Sequence, residues 1–202
     1  MLSSRILVVD DHESFRRFVL SMLEQRPEYQ VVGQAVDGVD AIRQAHKLQP
    51  DLVLLDIGLP EHSGLQVSRH ICFLPLVPKT LFLSQESSPD MVTEAMRSGA
   101  LGYVHKMRAK SDLLPAIETV LKGEIFVSSS LRFSLCEGCA EHLTNYHKAK
   151  SKWDEIRAQL SAAAAQEKDL FERLLARSKI SSVECEKHRK LYLGHVRCHG
   201  FA

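Results

Sequence analysis

Three carboxylates follow two short apolar runs, and they have the clearest capacity for chemistry in this sequence. Asp56 comes directly after the apolar run 52–55, and Asp10 and Asp11 come after the run 6–9. Apolar runs of this length, bounded by turn residues, predict strands that are buried on both faces. Ligands of open α/β sheets bind at the carboxyl ends of the strands. Crowded carboxylates repel one another unless a cation lies among them, so we expect a Mg²⁺ site built from these oxygens.

A hydroxyl and an amine follow two further predicted strands. Ser84 comes after the apolar run 80–83, and Lys106 lies just beyond the short strand predicted at 102–104. Because the carboxyl ends of parallel strands share one edge of a sheet, these side chains are expected beside the three carboxylates. Four strand ends would then supply oxygen ligands, a hydroxyl and a fixed cation to one place.

Strand and helix signals alternate through the first 120 or so residues. Strands are predicted at about 5–9, 30–34, 52–56, 80–83 and 102–104, and helices follow each of them. In the second helix, at about 38–48, the spacing places Val39, Ile42 and Ala45 against the sheet. Ser111 is the expected cap of the last helix, which runs to about Lys122. The pattern predicts an α/β fold with a five-stranded, doubly wound parallel sheet.

The strand-end motifs together resemble a known family. They are Val-Val-Asp10-Asp11, Leu-Leu-Asp56-Ile-Gly58-Leu-Pro60, Leu-Ser84 and Gly102-Tyr103-Val-His-Lys106. This set resembles the receiver domain of two-component response regulators, which has a flavodoxin-like fold. The segments 95–103 and 123–128 are most similar to the NarL/FixJ type. The resemblance covers about residues 4–130.

The resemblance implies a role for each strand-end residue. Asp56 would be the phosphoacceptor, phosphorylated by a sensor histidine kinase, and Lys106 and Ser84 would contact the phosphoryl oxygens. The Mg²⁺ ligands would be Asp10, Asp11, Asp56 and the backbone carbonyl of Gly58. Tyr103 would be an aromatic switch that moves with Ser84. Such a protein is no enzyme beyond catalysing its own phosphorylation and dephosphorylation.

Length and composition set the organisation of the chain. Its 202 residues suit a receiver domain at 1–130 followed by a tail at 131–202. The net charge of +1 gives no general reason to expect a polyanionic partner. The sequence shows neither a membrane span nor a signal peptide, which predicts a cytoplasmic protein. Its five cysteines are then expected as thiols or metal ligands rather than as disulfides.

The tail has the composition of long helices. Neither glycine nor proline occurs between Cys139 and Leu193. Positions at helical spacing form two stripes of one helix face: Cys139, Leu143, Tyr146, Lys150, Trp153, Ile156 (or Arg157), Leu160 and Ala164, and then Phe171, Leu174, Ser178, Ser181, Cys185, His188, Tyr192 and His195. The first stripe is apolar except at Lys150, and the second fades into small and polar residues. The pattern favours an antiparallel helical hairpin that turns near residues 166–169. The alternative is one long helix or coiled coil of roughly 80 Å.

The function of the tail is open at this point. NarL/FixJ-type receivers are normally followed by a LuxR-type helix-turn-helix, and no such pattern follows Ser130. This argues against DNA as a partner and favours a protein-interaction tail, with an unknown partner or a second copy in a homodimer. One alternative is a phosphorylation-controlled transcription factor with an unrecognised DNA-binding tail. Another is a phosphorelay component that carries a phosphorylated His142, His147, His188 or His195.

Cysteines and histidines near both ends of the tail suggest one metal site. Cys136 and Cys139 precede the first tail helix, and His195 and Cys198 follow the second. An antiparallel hairpin would bring the two pairs together, and four such ligands form tetrahedral Zn²⁺ sites. Free thiols are the competing interpretation, since short-spaced cysteines also occur as small buried residues.

Overall fold

The computed structural model describes residues 3–74, 76–134, 177–185 and 187–188, together with positions 145, 148, 149, 152, 155, 156 and 159. The chain divides into two compact units, Met1–Ser134 and Leu135–Ala202. The sequence predicted a boundary four residues earlier, after Ser130. The first unit is the receiver unit below, and the second is the tail.

The receiver unit contains one parallel sheet. Its strands are β1 (Ser4–Val9), β2 (Tyr29–Ala35), β3 (Leu52–Asp56), β4 (Lys79–Ser84), β5 (Gly102–His105) and β6 (Phe126–Val127). They lie in the order β2-β1-β3-β4-β5-β6, and every neighbouring pair is parallel. This confirms the predicted doubly wound α/β fold of the flavodoxin-like receiver type. The structure adds a sixth strand of two residues, which is too short for periodicity to predict.

Five helices connect the strands. They are α1 (Glu13–Glu24), α2 (Gly38–Leu48), α3 (Gly64–Ile71), α4 (Pro89–Arg97) and α5 (Ala109–Leu121). Asp37, Ser63 and Ser88 cap three of them, each accepting a hydrogen bond from a backbone N–H in the first turn. Gly99 and Gly123 have φ angles of 97° and 81°, so they supply the left-handed conformation that follows α4 and α5.

Hydrophobic burial holds the sheet between two helical layers. All five residues of β3 are buried, as expected for a central strand covered on both faces. On one face, Ile6, Leu54 and Val104 belong to a core cluster with residues of α1 and α5. Successive strand residues point to opposite faces of the sheet. The residues that alternate with Ile6, Leu54 and Val104 therefore face the side away from α1 and α5.

Two local predictions are wrong. In α2, Ala45 is buried as predicted and Ile42 is partly buried, but Val39 is 52% exposed, and Ala41, one helical turn before Ala45, takes its place. The last helix begins at Ala109 rather than after Ser111, and the Ser111 hydroxyl donates to the carbonyl of Arg108. A three-residue 3₁₀ turn, Lys106–Arg108, runs directly into α5, so no separate side-chain cap is needed.

The tail residues that the structure describes all have helical backbone, including 177–185. Ala149, Ile156, Ser181 and Cys185 are buried, whereas Ile180 and Val183 are each 70% exposed. Lys152 Nζ lies 3.7 Å from a carboxylate oxygen of Glu184. The predicted turn at 166–169 lies outside the described residues.

Candidate functional site

The strand ends place the predicted residues at one edge of the sheet. Asp56 ends β3 and is 4% exposed, and Asp10 follows β1 and is 1% exposed. Ser84 ends β4 and is 2% exposed. Ligand atoms of Asp10, Asp11, His12 and Asp56 all lie within 4.8 Å of one another. Two buried carboxylates and one exposed carboxylate therefore converge, as the parallel topology predicts.

Lys106 joins the two buried carboxylates. Its Nζ lies 2.6 Å from Asp56 Oδ2 and 2.8 Å from Asp10 Oδ2. The alkyl chain and ammonium are almost fully buried, and Nζ also lies 4.7 Å from the centre of the Phe15 ring. The side chain of Lys106 is thus held by charge on one side and by an aromatic face on another.

Burial and ion pairing shift the pKa values in this cluster. Burial raises the pKa of Asp10 above its ordinary 3.8, although Lys106 opposes that change. Burial lowers the pKa of Lys106, but the hydrogen bonds and charges of Asp10 and Asp56 outweigh it, so the net pKa lies above 10.5. Lys106 therefore stays cationic at neutral pH and offers a fixed positive charge beside Asp56.

The oxygen set suits a magnesium ion. Asp10 Oδ2 is buried and has no hydrogen-bond partner beyond its contact with Lys106 among the described residues. Three carboxylates face one ammonium, and a divalent cation can balance the negative charge that the ammonium leaves. Asp11 is exposed, so the cluster is open to solvent on that side. Hard carboxylate oxygens with an open side fit the coordination that Mg²⁺ prefers.

The backbone around Gly58 contributes to the same edge. Its N–H donates to Asp56 Oδ1 at 3.2 Å. A Cβ at Gly58 would meet nothing nearer than the Asp56 carboxylate oxygens, at 4.0 Å. The direction of the Asp56 side chain is therefore fixed by a backbone donor and by Lys106. The expected role of the Gly58 carbonyl as a metal ligand stays a prediction.

Ser84 and Tyr103 meet at the loop between β4 and α4. Ser84 Oγ accepts the N–H of Glu86 at 3.1 Å, and the Tyr103 hydroxyl donates to the carbonyl of Glu86 at 2.9 Å. Tyr103 is fully buried, and this burial raises the pKa of its hydroxyl from 10.0 to about 12. Both side chains expected to form a switch thus bind the same loop residue.

A cleft opens beside Lys106. It has a volume of about 530 Å³ and is lined by the start of α1 with the residue before it, the β4–α4 loop, and the end of β5 with the turn that follows. They are His12, Ser14, Phe15, Gln85, His105, Lys106 and Met107. Met107 is 86% exposed. The cleft gives an incoming group access to the buried end of Lys106.

Gly64 is a site residue that the sequence reasoning missed. Its N–H donates to the carbonyl of Ile57 at 2.9 Å. A Cβ at this position would lie 2.0 Å from the backbone oxygen of Asp56, so only glycine lets α3 begin this close to the end of β3. The sequence offered one indication of this role, because Gly64 directly follows Ser63, a residue type that commonly caps helices.

Two histidines beside the site were also missed. His12 Nδ1 lies 2.6 Å from Asp11 Oδ1, and the His12 N–H donates to Asp10 Oδ1. His105 Nε2 lies 3.0 Å from the carbonyl of Gln85. Each lies next to a residue that the sequence did single out, His12 after Asp11 and His105 before Lys106. A single histidine has no partner at a fixed spacing, so nothing in the sequence pointed to its role.

Most of the tail's candidate residues lie outside the described residues. These are the zinc candidates Cys136, Cys139, His195 and Cys198, and the phosphorelay candidates His142 and His147. The structure does describe His188, which is half-buried with Nδ1 inaccessible to solvent. Among the helices in the described part of the chain, none has the length and apolarity needed to span a bilayer.

Curated relatives match over part of their length. LiaR of Bacillus subtilis, a transcriptional regulatory protein, is 33% identical over 120 residues, which are 59% of this chain and 57% of LiaR. NarL of Escherichia coli K12, a nitrate/nitrite response regulator, is 33% identical over 126 residues, 62% of this chain and 58% of NarL. The chain thus spans somewhat under three-fifths of these relatives.

A solved structure and a family model also match the receiver unit. A two-component response regulator of the LuxR family from Aurantimonas sp. SI85-9A1 has a TM-score of 0.63 and 32% identity, covering 65% of this chain and 94% of that structure. The response regulator receiver domain model matches residues 6–118, which include every strand-end residue described above. The chain therefore belongs to the response regulator receiver domain family.

Proposed function

We propose that Asp56 accepts a phosphoryl group from the histidine of a sensor kinase and that the helical tail passes the signal to a protein partner. The observation that carries the proposal is the buried Asp56 carboxylate, 2.6 Å from Lys106 and within 4.8 Å of the ligand atoms of Asp10 and Asp11. A buried nucleophile beside a fixed cation and a metal-binding set is what phosphoryl transfer to a carboxylate requires.

The transfer forms one bond and breaks another. A carboxylate oxygen of Asp56 attacks phosphorus, and the phosphorus–nitrogen bond of the phosphohistidine breaks. The electron pair stays on the histidine nitrogen, which takes a proton from solvent. The product on this chain is an acyl phosphate, which water can later hydrolyse to restore Asp56.

Each neighbouring residue has a part in the transfer. Lys106 moves from its contacts with two carboxylates toward a phosphoryl oxygen, and the Ser84 hydroxyl donates to another. Mg²⁺, when bound by Asp10, Asp11 and Asp56, would offset the charge that develops on the phosphoryl oxygens. The departure of Ser84 from the Glu86 N–H would alter the loop that Tyr103 also binds.

Replacing the nucleophile tests the proposal most directly. Asp56→Asn should lose all labelling from radiolabelled acetyl phosphate or a phosphorylated kinase, because the amide is a poor nucleophile. Asp90→Asn is the matched control, since Asp90 is exposed in the first turn of α4. Circular dichroism should show that both variants stay folded. Stoichiometric labelling of Asp56→Asn would show that another residue is the phosphoacceptor.

Removal of the exposed carboxylate tests the metal. Asp11→Ala should weaken Mg²⁺ binding at least roughly ten-fold by titration calorimetry, since it removes one of three anionic oxygen ligands. The Asp90→Asn variant should bind Mg²⁺ like the wild type. Unchanged affinity in Asp11→Ala would contradict the assigned ligand set without affecting the Asp56 assignment.

The hairpin form of the tail is part of this proposal. The ion pair of Lys152 with Glu184 supports it, because the midpoint between these positions is residue 168, inside the predicted turn at 166–169. The burial of Ser181 and Cys185, and the partial burial of Ser178 and His188, follows the second predicted stripe. In one continuous helix, residues 152 and 184 would lie about 48 Å apart.

Zero-length cross-linking distinguishes the two tail forms. A carbodiimide should join Lys152 to Glu184 within one chain, and Glu184→Gln should abolish that peptide pair in mass spectrometry. A mixture of isotopically light and heavy protein separates links within one chain from links between copies. A Lys152–Glu184 link found only between copies would replace the hairpin with an antiparallel dimer.

A transcription factor is the second candidate function. It is favoured by the description of LiaR as a transcriptional regulatory protein, although the match covers only 57% of that protein. A gel shift with fragments of the host genome tests it. A pull-down with and without beryllofluoride, a phosphoryl mimic, tests the protein-interaction output. Phosphorylation-dependent DNA binding without protein capture would favour the second candidate.

A further inference from the structure

Ser128 stands where the chain leaves the sheet. Its backbone N–H donates to the carbonyl of Tyr103 at 3.0 Å, which continues the pairing of β6 with β5. Its backbone carbonyl accepts the N–H of Leu131 at 2.8 Å, which begins the 3₁₀ helix Ser129–Ser134. One residue therefore belongs both to the sheet and to the segment that leads to the tail.

The Ser128 side chain completes the sheet where the backbone turns away. Its Oγ accepts the N–H of His105 at 3.2 Å, a donor that the carbonyl of residue 128 would take if the parallel pairing continued. Ser128 is 0% exposed, so this donor would otherwise face no water. The Ser128 hydroxyl oxygen takes the place of the Ser128 carbonyl as the acceptor for His105. The carbonyl is then available to accept the Leu131 N–H that begins the 3₁₀ helix.

Asp112 fixes the direction of that hydroxyl. Ser128 Oγ donates to Asp112 Oδ2 at 2.7 Å, so its remaining lone pairs face the His105 N–H. The other carboxylate oxygen of Asp112 lies 2.6 Å from the Ser111 hydroxyl, whose one proton it shares with the carbonyl of Arg108. Asp112 is 8% exposed and lies in α5, which ties the end of β5, the start of α5 and residue 128 together.

The bonded amide lies directly beside the chemistry. His105 precedes Lys106, whose ammonium contacts both Asp56 and Asp10. On its other side, the His105 ring contacts the carbonyl of Gln85 in the β4–α4 loop. A phosphoryl group on Asp56 changes the charges around Lys106 and the position of Ser84. The end of β5 therefore adjoins both Lys106 and the β4–α4 loop, the two places that phosphorylation of Asp56 would affect.

The segment after Ser128 lies against the same region. The 3₁₀ helix Ser129–Ser134 contacts α4, and Leu131 within it is 4% exposed. Residues 129–134, which we call the root of the tail, therefore adjoin the end of β5 through Ser128 and contact α4.

We propose that Ser128, oriented by Asp112, is the positioning residue that couples the end of β5 to the root of the tail. This rests on the proposed phosphorylation of Asp56. The coupling acts through a bond that either holds or releases the His105 amide, and such a two-state element can carry energy between sites. Neither Ser128 nor Asp112 touches the phosphoryl group.

Three variants of the 202-residue chain are compared with the wild type to test the coupling through Ser128. Ser128→Ala removes the hydroxyl. Asp112→Asn keeps an oxygen that can accept the Ser128 proton. Ser129→Ala is the matched control, because Ser129 is the next residue and is exposed. Amide hydrogen exchange is followed by NMR, first in the resting protein and then with Mg²⁺ and beryllofluoride.

In the resting protein, Ser128→Ala should raise the exchange rate of the His105 amide roughly ten-fold, since one buried hydrogen bond is lost. The Phe126 amide, which donates to the carbonyl of Leu101, should not change. Asp112→Asn and Ser129→Ala should remain within about two-fold of the wild type. An unchanged His105 amide in Ser128→Ala would overturn the proposal.

With beryllofluoride, exchange in residues 129–134 should change in the wild type, in Asp112→Asn and in Ser129→Ala. Ser128→Ala should bind beryllofluoride with the same affinity but lose most of that change. If Ser128→Ala shows the full exchange response at residues 129–134, or binds beryllofluoride more weakly than the wild type, the proposed coupling through Ser128 is wrong. If the wild type binds beryllofluoride but exchange at residues 129–134 does not change, the coupling is wrong and the proposed phosphorylation of Asp56 is unaffected. Failure of the wild type to bind beryllofluoride refutes the proposed function and, with it, the signal that this coupling would carry.

Discussion

The receiver unit and the tail bury different kinds of side chain. Every residue of β3 is buried, and the large side chains buried in the receiver unit include Leu52, Leu54 and Phe82. Among the tail residues that the structure describes, those buried are Ala149, Ile156, Ser181 and Cys185. Apolar burial stabilises roughly in proportion to the area removed from water, so Ala149, Ser181 and Cys185 contribute less than the large side chains of the receiver unit, whereas Ile156 is comparable to Leu54.

This difference shows how the two units are specified. A receiver strand is constrained by both of its neighbours and by helices on both faces, so many contacts agree on one arrangement. The described tail helix has a buried face of small and polar residues and an exposed face that carries Ile180 and Val183. Local helix propensity therefore has a larger share in the described helical residues 177–185, and long-range packing has a larger share in the receiver unit.

The largest expected effect concerns a backbone contact in the receiver unit. Gly64→Ala would place a Cβ 2.0 Å from the Asp56 carbonyl oxygen and 2.9 Å from the Cα of Ile57. Because backbone atoms cannot move aside cheaply, the free energy of unfolding should fall by about 4 kcal/mol or more. Gly58→Ala is the matched control, since its nearest atoms lie 4.0 Å away, and it should cost under about 1 kcal/mol. Urea denaturation followed by circular dichroism measures both, and similar losses would contradict the close approach at Gly64.

The next effect compares one apolar side chain from each unit. Leu54→Ala should lower the free energy of unfolding of the receiver unit by about 2–5 kcal/mol, because Leu54 is fully buried in a central strand. Ile180→Ala should change the free energy of unfolding of the tail by no more than about 0.5 kcal/mol, because Ile180 is 70% exposed. Chemical denaturation of the full chain provides both values. A loss above about 1 kcal/mol in Ile180→Ala would show that this surface is covered in solution, and the contrast between the units would then fail.

The smallest effect is a pH dependence inside the receiver unit. The Tyr103 hydroxyl ionises near pH 10 in the unfolded chain, whereas burial raises its pKa to about 12 in the folded protein. Between these values the unfolded state binds fewer protons, so the stability falls as the pH rises. Tyr103→Phe should remove up to roughly 1.4 kcal/mol per pH unit of that decline.

Denaturation midpoints between pH 9 and pH 11 measure this slope. Tyr29→Phe is the comparison, because Tyr29 is only partly buried and should contribute less, although burial raises its pKa as well. Equal slopes in the wild type and in Tyr103→Phe would mean that the Tyr103 hydroxyl is accessible to solvent in the folded protein.

The sequence by itself determined the order of elements and the edge on which the site lies. The bounds of α2 were predicted to the residue, and β3 was predicted to end at Asp56. These results follow from local rules, since side-chain periodicity and glycine positions depend on the nearest few residues. Once the strands are parallel, their carboxyl ends must share an edge, so Asp10, Asp56 and Ser84 could be placed together.

Only the tertiary structure decided which groups touch. The pairing of Lys106 with both Asp10 and Asp56, the need for glycine at position 64 and the bond from His105 to Ser128 join residues far apart in the chain. The burial of Ala41 in place of Val39 was likewise set by the neighbours of α2. Periodicity assigns a residue to a face, but the partner on that face comes from another element. Contacts of this kind therefore depend on how the elements pack, which no local pattern in the sequence records.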